Sequence, residues 1–170
     1  MGANIIYVTG GERSGKSSFA QQQALNLSRS PVYLATAHIW DDDFRARVER
    51  HKADRDNRWT TVEEEINLSQ HDFTGKIVLL DCITLWLTNI YSKNDYDCDR
   101  SLMFAKEEWQ RLIQQNFTLI VVSNEIGMGG HASGEAQRKF TSLQGWMNQH
   151  IAQQAHKAFL MVSGLPLTLK

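Results

Sequence analysis

The stretch that most constrains the fold is an eight-residue segment near the N-terminus: Gly10-Gly11-Glu12-Arg13-Ser14-Gly15-Lys16-Ser17. It fits the pattern G-x-x-x-x-G-K-[ST], and it stands between an apolar run at 5–8 and a stretch that can form a helix, which is the order that a phosphate-binding loop requires. Glycines let successive backbone N–H groups turn toward phosphate oxygens, and the start of the helix adds its positive end. The sequence therefore predicts a nucleotide site in which Lys16 contacts the β- and γ-phosphates and the hydroxyl of Ser17 is a ligand of Mg²⁺.

Composition limits the remaining possibilities. The chain has 170 residues, of which 42% are hydrophobic, which is enough for one core and predicts a single domain over residues 1–170. The net charge of −1 argues against a partner held by a basic surface, such as a nucleic acid. The two cysteines lack metal-type spacing and indicate a cytoplasmic setting, and we expect no membrane span, because every apolar run is too short.

Strand-like and helix-like segments alternate along the chain. Apolar runs at 5–8, 32–36, 76–81, 117–122 and 159–162 predict strands. Helical patterns follow the loop and recur at about 41–55, 102–115 and 136–151. This alternation predicts an α/β, P-loop NTPase-like fold with a mostly parallel sheet and helices on both faces.

Asp81 ends the apolar run at 76–81. Ligands of open parallel sheets bind at the carboxyl ends of the strands, so Asp81 is a candidate carboxylate for Mg²⁺, directly or through water. The alternative is a structural aspartate that caps the following helix. Because the phosphate loop is present, we favour the metal role.

The stretch 41–55 is rich in charge: it opens with three aspartates and continues with four arginines, a lysine and His51. If it forms one helix, Arg47 and Arg55 lie one turn before and one turn after His51. Neighbouring cations would lower the pKa of the imidazole and keep it neutral, as a nucleophile must be. On residue types alone, a solvated basic helix face is the more common explanation of such a pattern.

Several motifs together resemble one enzyme family nearly end to end. They are Val8-Thr9 with the phosphate loop, Tyr33-Leu34-Ala35-Thr36, Arg47 with His51-Lys52 and Asp54-Arg55, Leu80-Asp81-Cys82, Trp86 with Asn89, Ser123-Asn124-Glu125-Ile126-Gly127-Met128-Gly129, Phe140, Asn148-Gln149 and Val162-Ser163-Gly164. In kind and order they are similar to the bifunctional adenosylcobinamide kinase/adenosylcobinamide-phosphate guanylyltransferase family of cobalamin biosynthesis.

The resemblance implies two reactions: phosphorylation of adenosylcobinamide with ATP or GTP, and transfer of GMP from GTP to adenosylcobinamide phosphate. It implies that His51 carries GMP as a covalent intermediate, that Lys16 assists catalysis, and that the chain is a homo-oligomer, such as a trimer. Outside the loop, it implies nucleotide contacts at Thr36, Ala37, His38, Lys52, Ala53, Asp54, Arg55, Glu63 and Asp81.

Two positions depart from the family pattern. Members often have a second histidine before the reactive one, where this chain has Arg50, and they continue differently after Gly129, where this chain has Gly130-His131-Ala132-Ser133. Two other functions stay open on the sequence: a P-loop small-molecule kinase without guanylyl transfer, and a non-enzymatic GTP-binding switch. Against the switch, an Asn-Lys-x-Asp segment that would read guanine is missing from the sequence.

Overall fold

A computed structural model of the chain describes residues 2–53 and 55–170. Within these residues there are seven strands and five α-helices, with one 3₁₀ helix at Leu68–Gln70. The elements are β1 (Asn4–Gly10), α1 (Lys16–Leu27), β2 (Val32–Ala35), α2 (Asp42–Ala53), β3 (Thr60–Glu63), β4 (Ile77–Asp81), α3 (Ile83–Lys93), α4 (Cys98–Ile113), β5 (Thr118–Val122), α5 (Glu135–Gln154), β6 (Lys157–Val162) and β7 (Leu165–Thr168).

The strands form one sheet in the order β3-β2-β4-β5-β1-β6-β7. All neighbouring pairs are parallel except β6 and β7, which are antiparallel. The central strands are buried on both sides, as their continuous apolar runs predict. The predicted α/β fold with a mostly parallel sheet is confirmed.

Helices cover both faces of the sheet. On one face α3, α4 and α5 contribute Trp86, Trp109 and Met147 to a large buried cluster. On the other face α1 packs Ala20 and Ala24 against Val8 and other residues of the central strands. The loop between β1 and α1 is thus anchored at both ends in the core. No helix of the described ranges combines the length and apolarity that crossing a bilayer requires.

Three elements were not expected from the sequence. Strand β3 lies at the edge and is mostly exposed, so it has no apolar pattern to reveal it. Strand β7 contains Pro166, which reads as a strand breaker, but it pairs as an edge strand, where proline is tolerated. Helix α3 is rich in β-branched and aromatic residues, which favour strands, but its buried positions fall at helical spacing.

Helix α4 begins at Cys98 rather than near Leu102. The reason is an N-cap: the Asp97 side chain accepts a hydrogen bond from the backbone N–H of Arg100, 2.9 Å away. This cap satisfies a donor of the first turn and starts the helix before its apolar face begins.

Candidate functional site

Several predicted site residues lie at or just after the carboxyl ends of parallel strands, which share one edge of the sheet. Gly10 ends β1, Asp81 ends β4 and Glu63 ends β3, while Thr36 follows β2. The edge therefore brings together segments that are up to about 70 residues apart in sequence.

The loop from Gly10 to Ser17 joins β1 to α1, as predicted. Gly10 has φ +154°, and a Cβ there would lie 2.6 Å from the backbone oxygen of Met161. Gly15 has φ +93° and precedes the first residue of α1, and a Cβ there would lie 3.1 Å from the Cα of Gly164. Both positions need glycine because of close backbone neighbours as well as backbone conformation. No side chain caps the start of α1 within the described residues, which leaves its N–H groups for a ligand.

Lys16 is the buried cation of the loop, with 8% of its surface exposed. Its Nζ donates to the backbone oxygen of Gly11 and to Ser14 Oγ, the latter at 3.4 Å. Burial lowers the pKa of Lys16, while the nearby Cys82, Asp81 and Glu12 act in the opposite direction. A cation that is partly desolvated before any anion arrives is placed to gain strongly from contact with phosphate.

Asp81 is held by a tyrosine and does not cap a helix. Its Oδ2 accepts a hydrogen bond of 2.7 Å from the hydroxyl of Tyr33. The N-cap residue of α3 is Cys82, and no side-chain cap bond is present there among the described residues. The alternative that Asp81 caps the helix after β4 is therefore wrong.

Ser17 and Asp81 offer the hydroxyl and carboxylate oxygens that Mg²⁺ prefers. Ser17 lies half-buried in the first turn of α1, and Asp81 lies close enough to Lys16 to affect its pKa. Across residues 2–53 and 55–170, no group of three or more His, Cys, Asp or Glu side chains could form a complete metal cage. The pair fits an ion whose other ligands are phosphate oxygens and water.

The segment after β2 divides into a structural and an exposed part. Thr36 is fully buried, and its hydroxyl donates to the Cys82 oxygen at 2.8 Å and accepts from the Cys82 N–H at 3.1 Å. His38 is exposed, with Nδ1 2.9 Å from Glu65 Oε1 and its ring 4.4 Å from that of Trp40. The Thr36 side chain ties the ends of β2 and β4 together, and only the following residues face solvent.

Helix α2 confirms the predicted helix at its start but ends at Ala53. Arg55 lies beyond it, so the prediction that Arg55 lies one helical turn after His51 is wrong. The backbone N–H of Arg55 bonds to the oxygen of Lys52 at 3.2 Å, a contact three residues back that tightens the chain out of the α-helix. The side chain of His51 and all of Asp54 lie outside the described residues.

Lys52 and Glu63 form an ion pair of 2.8 Å between the end of α2 and β3. The hydrogen bond with Glu63 raises the pKa of Lys52. The guanidinium carbon of Arg55 lies 3.6 Å from the centre of the Tyr33 ring, and the Trp59 ring meets the same ring edge-on at 5.9 Å. Tyr33 therefore contacts Arg55 with its ring and Asp81 with its hydroxyl.

A cavity of about 480 Å³ opens beside these contacts. Its lining residues are Lys52, Arg55, Asp56, Trp59, Thr61 and Glu63. Three of them were predicted to bind nucleotide, and the volume is within the range of small-molecule sites. Ala53 ends α2 with an exposed side chain and does not line the cavity.

Sequence reasoning gave no role to three residues that the structure brings to this edge: Tyr33, Trp59 and Glu125. Tyr33 lies in a buried strand and reads as a core residue. Glu125 follows β5, and its position after a strand in the resemblance motif was the signal that could have marked it. Trp59 lies between elements, with no pattern to indicate its contacts.

A glycine loop between a buried parallel strand and a helix, with a buried lysine in the loop and a carboxylate two strands away, defines a P-loop nucleotide-binding protein of the α/β class. The family model described as cobinamide kinase / cobinamide phosphate guanyltransferase matches residues 6–169. The chain belongs to this family and is a bifunctional transferase of cobalamin biosynthesis, as the resemblance implied.

Three relatives of known name are similar to this chain over nearly its whole length. The bifunctional adenosylcobalamin biosynthesis protein CobP of Pseudomonas aeruginosa is 34% identical, over 96% of this chain and 95% of its own length. The proteins CobU of Escherichia coli and of Salmonella typhimurium are 33% and 32% identical, each over 98% of this chain and 99% of their own length.

Two solved structures align more loosely. One is an ATPase domain with a TM-score of 0.46 and 13% identity, covering 92% of this chain and 68% of that chain. The other, the flagellar accessory protein FlaH of Methanocaldococcus jannaschii, has a TM-score of 0.47 and 14% identity, covering 98% of this chain and 78% of that chain.

Proposed function

We propose that this chain phosphorylates the hydroxyl of adenosylcobinamide with ATP or GTP, and then transfers GMP from GTP to the resulting phosphate through a guanylated His51. The family match over residues 6–169 carries the proposal. The geometry supports it with a preformed phosphate loop and a basic helix end beside a cavity of suitable size.

In the kinase step the loop and Lys16 hold the triphosphate and neutralise charge on the leaving diphosphate. Phosphoryl transfer depends mainly on such positioning and charge neutralisation. The buried Lys16, whose Nζ is already held within the loop by the backbone oxygen of Gly11, supports this role because it needs little reorganisation when phosphate binds.

In the guanylyl step a neutral His51 nitrogen attacks the α-phosphorus of GTP and pyrophosphate leaves. The acceptor phosphate then displaces the histidine and takes GMP. Lys52 and Arg55, which follow His51, contribute positive charge beside the cavity. Glu63 holds Lys52 by an ion pair and thereby orients the end of α2 toward β3.

Mg²⁺, held by Ser17 and by Asp81 directly or through water, would supply charge neutralisation at the phosphates. Tyr33 supports this assignment by orienting the Asp81 carboxylate with a hydrogen bond of 2.7 Å.

The remaining predicted nucleotide contacts, at Thr36, Ala37, His38, Ala53 and Asp54, stay predictions. Since the Thr36 hydroxyl bonds to Cys82, we expect contacts there to involve Ala37 and His38.

The covalent intermediate has a direct test. Wild-type protein is incubated with GTP and Mg²⁺ and examined by intact-protein mass spectrometry, and we expect one added GMP that is stable in alkali and labile in acid, as a P–N bond is. His51→Asn should abolish the adduct and guanylyl transfer but retain kinase activity, whereas His71→Asn, a control outside the site, should retain the adduct. An adduct on the His51 variant would place the nucleophile elsewhere, and no adduct on an active wild type would indicate direct transfer.

Family membership favours the bifunctional enzyme over a kinase without guanylyl transfer and over a GTP-binding switch. We also propose that residues 1–170 act as one catalytic domain, in line with the single seven-stranded sheet. The homo-oligomer, such as a trimer, stays a prediction, as does the absence of a nucleic-acid partner. A cytoplasmic location also stays a prediction, and the free thiols of Cys82 and Cys98 support it.

A further inference from the structure

The segment that follows β5 leaves the sheet between the end of β4, which carries Asp81, and the end of β1, which leads into the phosphate loop. Strand β5 lies between β4 and β1, and its last residue, Val122, is in register with Asp81 on one side and Val8 on the other. The chain continues along the loop strand, because the N–H of Glu125 bonds to the oxygen of Gly10 at 3.0 Å. The backbone of Glu125 is therefore fixed beside the first residue of the phosphate loop.

One oxygen of the Glu125 carboxylate is held by two donors. Oε1 accepts from the hydroxyl of Thr9 at 2.9 Å and from Nδ2 of Asn148 at 3.2 Å. Among the described residues, the other oxygen, Oε2, has no donor at hydrogen-bond distance. The carboxylate is thus oriented by one oxygen and free to accept with the other.

The support beneath Glu125 is buried and cross-linked. Asn148 Oδ1 accepts from the hydroxyl of Ser123 at 2.6 Å and from Nε2 of Gln144 at 3.0 Å. Asn148 Nδ2 also donates to the backbone oxygen of Asn124 at 3.0 Å. Such a network restricts the orientation of Asn148 and, through it, of the carboxylate, which is the rigidity that a positioned proton acceptor needs.

Tyr7 of β1 is a buried neighbour of Glu125. Its side chain is buried, and its hydroxyl has no partner at hydrogen-bond distance among the described residues. Burial is the main cause that raises the pKa of Tyr7, and the nearby Glu125 raises it further. The phenol therefore stays neutral and cannot accept the proton itself, so Glu125 is the acceptor available at this end of the loop.

We propose that Glu125 is the general base of the kinase step, an assignment that rests on the proposed function. The substrate hydroxyl oxygen attacks the γ-phosphorus, and the bond from that phosphorus to the bridging oxygen breaks with its electron pair going to the diphosphate. The hydroxyl proton moves to Oε2 of Glu125. In guanylyl transfer the acceptor is already an ionised phosphate with no proton to lose, so that step does not need Glu125.

The test separates the two reactions. Kinase turnover is measured with adenosylcobinamide and ATP or GTP, and guanylyl transfer with adenosylcobinamide phosphate supplied directly. Glu125→Gln preserves the shape and the acceptor oxygen but cannot take a proton, so kinase kcat should fall about 100-fold or more, with guanylyl transfer within about twofold of wild type. Glu135→Gln, the same change in an exposed residue that pairs with Lys139 at the start of α5, is the matched control and should leave both rates unchanged.

Near-wild-type kinase turnover by Glu125→Gln would overturn the assignment, and equal loss of both reactions would reduce Glu125 to a structural role. If the Gln variant does not fold, Glu125→Asp keeps the charge but withdraws the carboxylate, and it should lower kinase turnover selectively. An unchanged kinase rate in the Asp variant would equally reject the base. A wild-type protein without kinase activity would refute the proposed function itself, a result that differs from every result expected of the variants.

Discussion

The phosphate loop and the cavity beside α2 hold their cations in opposite ways. In the loop, Lys16 is buried and bonded to the backbone of Gly11, and burial lowers its pKa. At the cavity, Lys52 is more exposed and paired with Glu63, and this pairing raises its pKa. The first cation is prepared for an anion, whereas the second is already neutralised by a carboxylate that a ligand can replace.

This difference indicates how two reactions can share one nucleotide site. A rigid, partly desolvated loop keeps the phosphates in one position for both steps. An exposed ion pair contributes little to stability, so the cavity residues can change partners between steps at small cost. We therefore expect substitutions in the loop to affect both reactions strongly, and substitutions at the cavity to have smaller effects.

The largest effect is expected for Lys16→Ala. Loss of the buried lysine–phosphate contact should remove about 2–4 kcal/mol of transition-state stabilisation, or roughly 30- to 1000-fold in kcat/KM, from both reactions. Steady-state kinetics of the two steps measures this. Lys139→Ala, at an exposed pair with Glu135, is the control and should be near wild type. If only one reaction is lost, the loop does not serve both.

An intermediate effect is expected for Asp81→Asn. The amide keeps the volume and can still accept from Tyr33, but it loses the charge that attracts a cation. The Mg²⁺ concentration for half-maximal activity should rise roughly 10- to 100-fold, while the melting temperature changes little. Asp72→Asn, which alters an exposed turn, should leave the Mg²⁺ titration unchanged. An Asp81 variant with the wild-type Mg²⁺ requirement would rule out the metal role.

The smallest expected effect is the difference between the pKa values of Lys16 and Lys52. Lys16 should titrate below its ordinary pKa of 10.5 and Lys52 above it. Because folded Lys16 binds its proton more weakly than unfolded Lys16, its charge opposes folding below its folded pKa, and this opposition is relieved as pH rises toward 10.5. Lys52 contributes stability that is present below 10.5 and lost as pH rises through its higher folded pKa.

Carbon-13 NMR of the lysine side chains, assigned with Lys16→Met and Lys52→Met, measures both values. Glu63→Gln should return the pKa of Lys52 toward its ordinary value and leave Lys16 unchanged. If Lys16 titrated above Lys52 in the ligand-free protein, the contrast between the two regions would be wrong.

Prediction from sequence succeeded where local pattern and burial agree. The central strands are apolar and the loop has a fixed motif, so β1, β4 and β5 were found close to their observed bounds, and α1 was found as the helix that follows the loop. It failed where packing overrides local preference, as in α3, and at the exposed edge strand β3, which has no apolar pattern. The end of α2 before Arg55 was also missed. The residue types there did not indicate the hydrogen bond from the Arg55 N–H to the Lys52 oxygen.

The sequence by itself determined the loop chemistry, the α/β class and the family, because spacing and residue type along one short segment are enough to specify a phosphate cradle. Only the tertiary structure decided which distant groups join it. Tyr33 connects Asp81 with Arg55, and Glu125 reaches Gly10, because the strand order brings together residues that are far apart in the chain. A sequence records neighbours along the backbone, whereas a parallel sheet makes neighbours of its strand ends, and that edge is where the site forms.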